Sequence, residues 1–168
     1  TAPEYDGWTY ELHSVGDGQD LYRDAPSWTP LADPATAREA GRMLATLHQA
    51  SAAYHAPQRS THLLVARDDL IRAADPLAML QADLDQRPGL AAYLARQRWQ
   101  DDLQRAVLPW HAGLAARLHA EPRLWAHNDW HVSNLLWRAD SEAPQVQTVF
   151  DFGLASPTSA LFDLATAI

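Results

Sequence analysis

The 168-residue sequence contains no cysteine and no lysine. Without cysteine the chain can form neither disulfides nor thiolate metal sites. All 13 basic residues are arginine. Any reaction step that needs a lysine amine must therefore take it from outside this chain.

Long apolar segments are also missing. No run approaches the roughly 18 apolar residues that a membrane span requires. The first residues, Thr1 to Glu4, lack the charged and then apolar pattern of a secretion signal. We therefore expect a cytoplasmic protein with no membrane partner.

Positive charge is scarce: 21 acidic residues against 13 basic ones give a net charge of −8. This balance argues against nucleic acid as a partner. An acidic surface is compatible with a cationic substrate, although solubility alone is the simpler explanation. Nothing in the sequence indicates the oligomeric state.

The first half of the chain carries one strand pattern and one clear helix pattern. Residues 7–15 alternate between apolar and polar side chains, which predicts a strand with one buried face. Asp33-Pro34 is typical of a helix cap followed by proline at the first helical position. The apolar spacing that follows predicts an amphipathic helix over 34–52.

Further helices and then short strands are predicted downstream. We expect a short helix over 67–74, a long helical element that opens after Pro88 and divides at Pro109, and a helix that begins in the last ten residues. Three short apolar runs predict buried strands at 124–127, 134–137 and 146–150. The predicted fold class is α+β, mostly helical, with a small β-hairpin core near residues 124–151.

Polar residues lie between these late strands. Asp129 could accept or orient a hydroxyl proton, and Asn134 and Asp151 offer oxygen ligands suited to Mg²⁺. A hairpin would bring the two loops to one rim. A base and two Mg²⁺ ligands are what phosphoryl transfer requires, because its catalysis is mainly positioning and charge neutralisation.

These residues stand in two recognisable motifs. His-x-Asp-x4-Asn over 127–134 and Asp-Phe-Gly at 151–153 are similar to the catalytic and metal loops of the protein-kinase-like fold. The string HNDWHVSNLLW resembles the loop of the aminoglycoside phosphotransferase/choline kinase-like family, with Asn128 where glycine is usual. Three further segments resemble that family: AGRMLATLH its first C-lobe helix, SALFDLA (with Asp163) the segment after its metal loop, and residues 8–21 its last N-lobe strand and hinge.

The resemblance implies a role for each matched residue. Asp129 would be the catalytic base or hydroxyl-orienting group, Asn134 and Asp151 would hold Mg²⁺, and His127 would brace the loop. The backbone of Ser14 and Gly16 would meet the adenine. The resemblance also implies ATP (or GTP) and Mg²⁺ as cofactors, and a hydroxyl of a small molecule such as an aminoglycoside, choline or a sugar as the acceptor.

The resemblance divides the chain into residues 1–22, the last N-lobe strand and hinge, and residues 23–168, a protein-kinase-like C-terminal lobe. The family's N-lobe normally supplies a phosphate-covering loop and a lysine, and substrate-binding helices normally follow Asp163. We therefore expect the chain to be part of a longer protein and the isolated chain not to turn over ATP.

Three alternatives compete with a small-molecule kinase. A protein kinase would carry lysine where His131 stands and a longer segment between Gly153 and Asp163. A metal-dependent hydrolase could use His127, Asp129 and His131, but it leaves Asn134 and Asp151 unexplained. A catalytically inactive pseudokinase is disfavoured because Asp129, Asn134 and Asp151 are all retained.

Overall fold

The computed structural model describes residues 3–58 and 66–167, and of Thr9 only the backbone. It mixes helices with small antiparallel sheets, as predicted. The helices are α1 Pro34–Ser51, α2 Asp69–Arg72, α3 Pro76–Leu84, α4 Pro88–Leu94, α5 Trp99–Ala106, α6 Leu108–Ala120 and α7 Ala160–Thr166. The strands are β1 Glu4–Tyr5, β2 Trp8–Thr9, β3 Leu124–Ala126, β4 Leu135–Trp137, β5 Val146–Val149 and β6 Ser156–Thr158. Two 3₁₀ turns cover Val132–Asn134 and Phe152–Leu154.

Helix α1 begins where its sequence predicts. The carboxylate of Asp33 accepts hydrogen bonds from the backbone N–H groups of Ala35 and Thr36, two donors with no partner inside the helix. The Thr36 hydroxyl also donates to this carboxylate, and these contacts lower the pKa of Asp33. Because the carboxylate is a stronger acceptor than the acid, the cap favours the charged form.

The predicted strand over 7–15 is wrong for most of its length. Only Trp8–Thr9 is a strand, paired with Glu4–Tyr5 around a turn with positive φ at Asp6 and Gly7. The apolar side chains of the alternating pattern are exposed, Trp8 at 70% and Leu12 at 92%. A two-stranded ribbon buries neither face unless another element packs on it, and in the described part of the chain none does.

The long helical element predicted after Pro88 is three helices. Helix α4 ends at Leu94, α5 covers Trp99–Ala106, and α6 begins at Leu108. Pro109 lies in the first turn of α6, where its missing N–H costs nothing, so the break falls at Val107 just before it. Trp99 is buried, whereas Trp110 is 74% exposed.

Two small sheets position the loops of interest. Strands β4 and β5 form the predicted hairpin, with Leu135 opposite Val149. Strand β3 pairs antiparallel with β6, with Ala126 opposite Ser156. The sequence did not predict β6, because Ser156-Pro157-Thr158 is polar and contains proline.

The main core lies between α1 and the β4–β5 hairpin. Its buried members are Ala40, Leu44, Trp130, Leu135, Trp137 and Val146. Glu39 adds a polar link, because its carboxylate accepts a hydrogen bond of 3.1 Å from the backbone N–H of Val146. Among the helices of the described residues, none has the length and apolar character needed to cross a membrane.

Candidate active site

The loop between β3 and β4 carries Asp129 and Asn134. The 3₁₀ turn Val132–Asn134 folds the loop back, and Nδ2 of Asn134 lies 2.8 Å from the carbonyl oxygen of Asp129 and 3.3 Å from its Oδ2. Both partners are acceptors, which fixes the amide orientation. In the described residues, the Asn134 side chain bonds through Nδ2 alone, so Oδ1 remains available as a ligand.

Asp151 stands after β5, in the left-handed region at φ 59° and ψ 60°. Its side chain is exposed, and Oδ1 lies 3.3 Å from the backbone nitrogen of Gly153. A non-glycine residue in this region carries conformational strain, which is most often found at functional sites. The strained backbone presents the carboxylate to solvent at the end of the strand.

A backbone hydrogen bond connects the two loops. The N–H of Phe150, the residue before Asp151, donates to the carbonyl oxygen of Asn134 at 3.2 Å. Asn134 therefore contacts Asp129 through its side chain and the neighbour of Asp151 through its backbone. The loops that carry the three predicted site residues are thus joined at Phe150.

His127 also contacts Phe150, the residue that joins the two loops. Its side chain is fully buried, and Nε2 lies 2.9 Å from the carbonyl oxygen of Phe150. Because a carbonyl only accepts, Nε2 carries the proton. The imidazole also packs against the Phe152 ring with 4.8 Å between the ring centroids. These contacts suit the bracing role predicted for His127.

A cleft of about 870 Å³ lies beside Asp151. Its lining includes Ser14 and Gly16 from the N-terminal segment, and Leu136, Thr148 and residues 149–153 from the hairpin and the turn that follows it. A Cβ on Gly16 would stand 3.0 Å from Cγ2 of Thr148, so the glycine lets this segment lie close to the hairpin. The Thr148 hydroxyl donates to the carbonyl oxygen of Asp17, and Gln19 exchanges two backbone hydrogen bonds with Trp137.

The cleft contains only part of the predicted site. Ser14, Gly16 and Asp151 line it, whereas Asp129 and Asn134 do not, although Asn134 accepts a backbone hydrogen bond from the lining residue Phe150. Segment 14–19 thus contacts the β4–β5 hairpin through its backbone, at Asp17 and Gln19.

Asp163 is a supporting residue whose contacts the sequence did not reveal. Its carboxylate is fully buried and accepts hydrogen bonds from the backbone N–H groups of His127 and Asn128. Nε2 of His48 lies 2.8 Å from its Oδ2. His48 therefore connects α1 to α7 next to the loop of Asp129.

The alternative zinc cluster of His127, Asp129 and His131 does not form. Nε2 of His127 is engaged by Phe150, while Nε2 of His131 lies 3.4 Å from Oδ1 of Asp129. Within residues 3–58 and 66–167, no three His, Asp or Glu side chains are placed to hold a metal ion together. This geometry disfavours a hydrolase that binds zinc through these residues.

The donors that are present suit a harder ion. Asp151 offers an exposed carboxylate and Asn134 a free amide oxygen, both on loops joined by the Phe150 contact. Mg²⁺ is usually held by one or two protein oxygens, with phosphate and water completing its octahedron. The pair therefore fits Mg²⁺ brought in with a nucleotide.

Comparison with known proteins agrees with this chemistry. The sequence profile of a phosphotransferase enzyme family matches residues 1–168. A search of curated proteins finds no match. The full-length profile match establishes that the chain belongs to the phosphotransferase enzyme family, as its resemblance to aminoglycoside phosphotransferases and choline kinases implied.

Proposed function

We propose that this chain is the protein-kinase-like C-terminal lobe of an enzyme that transfers the γ-phosphoryl group of ATP (or GTP) to a hydroxyl group of a small molecule. The proposal rests on two hydrogen bonds of Asn134. Its side chain donates to Asp129, and its backbone carbonyl accepts from Phe150. These bonds join a group that can act on an acceptor to a group that can act on a metal-bound nucleotide.

In this proposal Asp129 acts on the acceptor. Its carboxylate is partly exposed and is flanked by Nδ2 of Asn134 and Nε2 of His131, which restrict its rotation. It accepts a hydrogen bond from the acceptor hydroxyl and orients the oxygen in line with the γ-phosphoryl group. It takes the hydroxyl proton as the new P–O bond forms and the bond from the γ-phosphorus to the β,γ-bridging oxygen breaks, so that the nucleoside diphosphate leaves.

Asp151 and the cleft act on the nucleotide. When bound, Mg²⁺ neutralises charge on the β- and γ-phosphates. The Asp151 carboxylate and Asn134 Oδ1 would hold that ion from the protein side. The backbone of Ser14 and Gly16, which line the same cleft as Asp151, would meet the adenine edge.

Two observations favour a small-molecule kinase over its closest rivals. A protein kinase inserts a long segment after Asp-Phe-Gly. Here β6 begins at Ser156, three residues after Gly153, and α7 follows at Ala160. A pseudokinase has no need of Asp129, Asn134 and Asp151 held together. The proposed acceptors are the hydroxyl groups of small molecules such as an aminoglycoside, choline, a sugar or a similar metabolite.

The metal role of Asp151 is tested by nucleotide binding. In the whole protein, Asp151→Asn should weaken ATP binding in the presence of Mg²⁺ by at least the roughly 10–100-fold that loss of an outer-shell partner costs a metal site. The reason is that the amide keeps the shape but loses the charge that balances the ion. Isothermal titration calorimetry with Mg·ATP measures the change.

Asp140 is an exposed acidic residue in the β4–β5 turn. The variant Asp140→Asn is therefore the matched control and should bind ATP as the wild type does. Chelation of Mg²⁺ should remove most of the difference between Asp151→Asn and wild type. Equal Mg·ATP affinity in Asp151→Asn and wild type would refute the assignment.

A further inference from the structure

Asn128 lies between the bracing histidine and the proposed catalytic aspartate, and its backbone is left-handed with φ 66°. Glycine adopts this conformation without steric cost, whereas other residues pay for the Cβ. Asparagine tolerates it better than most residues, but glycine would be the less strained choice. We therefore ask whether hydrogen bonds of the Asn128 side chain offset this strain.

The Asn128 side chain is buried and makes an unusual number of contacts. Nδ2 lies 3.1 Å from the carbonyl oxygen of Ala126, 3.1 Å from that of Leu154 and 3.2 Å from that of Ser156. It also lies 3.1 Å from the Ser156 hydroxyl, and Oδ1 accepts a hydrogen bond from the hydroxyl of Thr158. The two amide hydrogens are thus shared among four acceptors.

These partners belong to two different parts of the site. Ala126 ends β3, which leads into the loop of Asp129, whereas Leu154, Ser156 and Thr158 follow Asp151. The amide of Asn128 extends the β3–β6 pairing past Ala126, where the backbone ladder ends.

The backbone of Asn128 is anchored independently. Its N–H donates to the buried carboxylate of Asp163, so the residue before Asp129 is fixed to α7. The side chain then fixes the chain that follows Asp151 to the same point. A change at the amide alters the segment after Asp151 while the anchor to α7 stays in place.

We propose that Asn128 is a positioning residue. Its amide holds the segment after Asp151 against the loop that carries Asp129, and so sets the relative placement of the two carboxylates. The inference rests on the proposed phosphotransferase function, because placement of these carboxylates matters for in-line transfer between nucleotide and acceptor. Asn128 itself touches neither substrate.

The test is Asn128→Gly in the whole protein, which keeps the left-handed backbone and removes only the amide. We expect kcat to fall by about 10–100-fold, the range that small misplacements of reacting groups produce. The KM for ATP should change less than kcat, because the backbone hydrogen bond from Phe150 to Asn134 still joins the loop of Asp151 to that of Asn134 while the placement of Asp151 relative to Asp129 loosens. Both constants are measured well below the melting temperature, with the folded fraction determined by circular dichroism.

A second readout does not depend on activity. Hydrogen–deuterium exchange over residues 152–158 should become faster in Asn128→Gly, while the protection of α1 stays unchanged. Thr158→Val, which removes only the donor to Oδ1, should change both readouts in the same direction by a smaller amount. Asp6→Gly, at another left-handed position, controls for the flexibility that a new glycine adds, and it should leave kcat unchanged.

The outcomes are distinct. Wild-type kcat per folded molecule, with only a lower melting temperature, would show that Asn128 is merely structural and would overturn the proposal. Unchanged exchange over 152–158 would also overturn it. If the wild-type protein transfers no phosphoryl group, the proposed function fails, and the exchange experiment alone then decides whether Asn128 couples the two loops.

Discussion

In the whole protein, Asp129→Asn is expected to lower kcat for phosphoryl transfer to a hydroxyl acceptor by about 10²–10⁴-fold, the usual contribution of a general base. The amide keeps the shape of the side chain and can still hydrogen-bond to Asn134. It can no longer take the acceptor proton. Steady-state kinetics with a hydroxyl acceptor that the wild type uses, at saturating Mg·ATP, measure the loss.

The same variant should bind Mg·ATP almost as wild type does, because Asp129 acts on the acceptor rather than the metal. The comparison with Asp151→Asn is therefore informative. Equal loss of ATP affinity in both variants would contradict the division of roles. Wild-type turnover in Asp129→Asn would show that Asp129 is not the catalytic base.

The second large effect is on stability. Asp163→Ala should destabilise the fold by several kcal/mol, because each buried donor left without its acceptor costs about 1–3 kcal/mol. The substitution leaves the backbone N–H groups of His127 and Asn128 and Nε2 of His48 without their acceptor, all in a buried region. Urea denaturation followed by tryptophan fluorescence reports the change, because Trp130 and Trp137 lie in the adjoining core.

Leu161→Ala is the matched control for this experiment. It lies on the same helix and is 45% exposed, so it should change the unfolding free energy by no more than about 0.5 kcal/mol. An Asp163→Ala protein as stable as this control would show that the buried carboxylate does not hold the loop.

The elements that the sequence predicted are those with a local signal. Helix α1 was expected over 34–52 and covers Pro34–Ser51, because Asp33 and Pro34 mark its start and the apolar residues recur at helical spacing. The strands β3, β4 and β5 were expected from short apolar runs, which is sufficient where a strand is buried between layers.

The missed elements depend on partners far away in the chain. Strand β6 is polar and owes its extended form to pairing with β3, some 30 residues earlier. The alternating pattern at 7–15 predicted a buried face, but burial requires a second layer that the described residues do not supply. An alternation of apolar and polar residues shows which face of a strand could be buried. It does not show whether another element of the fold packs on that face.

The candidate site divides in the same way. Asp129, Asn134 and Asp151 were found from their spacing and residue types, and the structure joins their loops through Phe150. The contacts of Asp163 with His48, 115 positions away, leave no local trace in the sequence. In the sequence, Asn128 stood out only because the family usually has glycine at this position. Its side-chain contacts with β6 were not predicted, because β6 itself was not predicted.

The central claim is that Asn134 and Asp151 hold one metal ion with the nucleotide, and paramagnetic NMR tests it most directly. This chain contains only two asparagines, Asn128 and Asn134, so labelling asparagine with ¹⁵N gives few signals from it, and Asn134→Asp assigns them. With a non-hydrolysable ATP analogue and Mn²⁺ in place of Mg²⁺, the side-chain amide signal of Asn134 should broaden strongly, while Mg²⁺ with the same analogue leaves it sharp. An unbroadened Asn134 signal, at analogue and Mn²⁺ concentrations where calorimetry shows saturated binding, would contradict the claim.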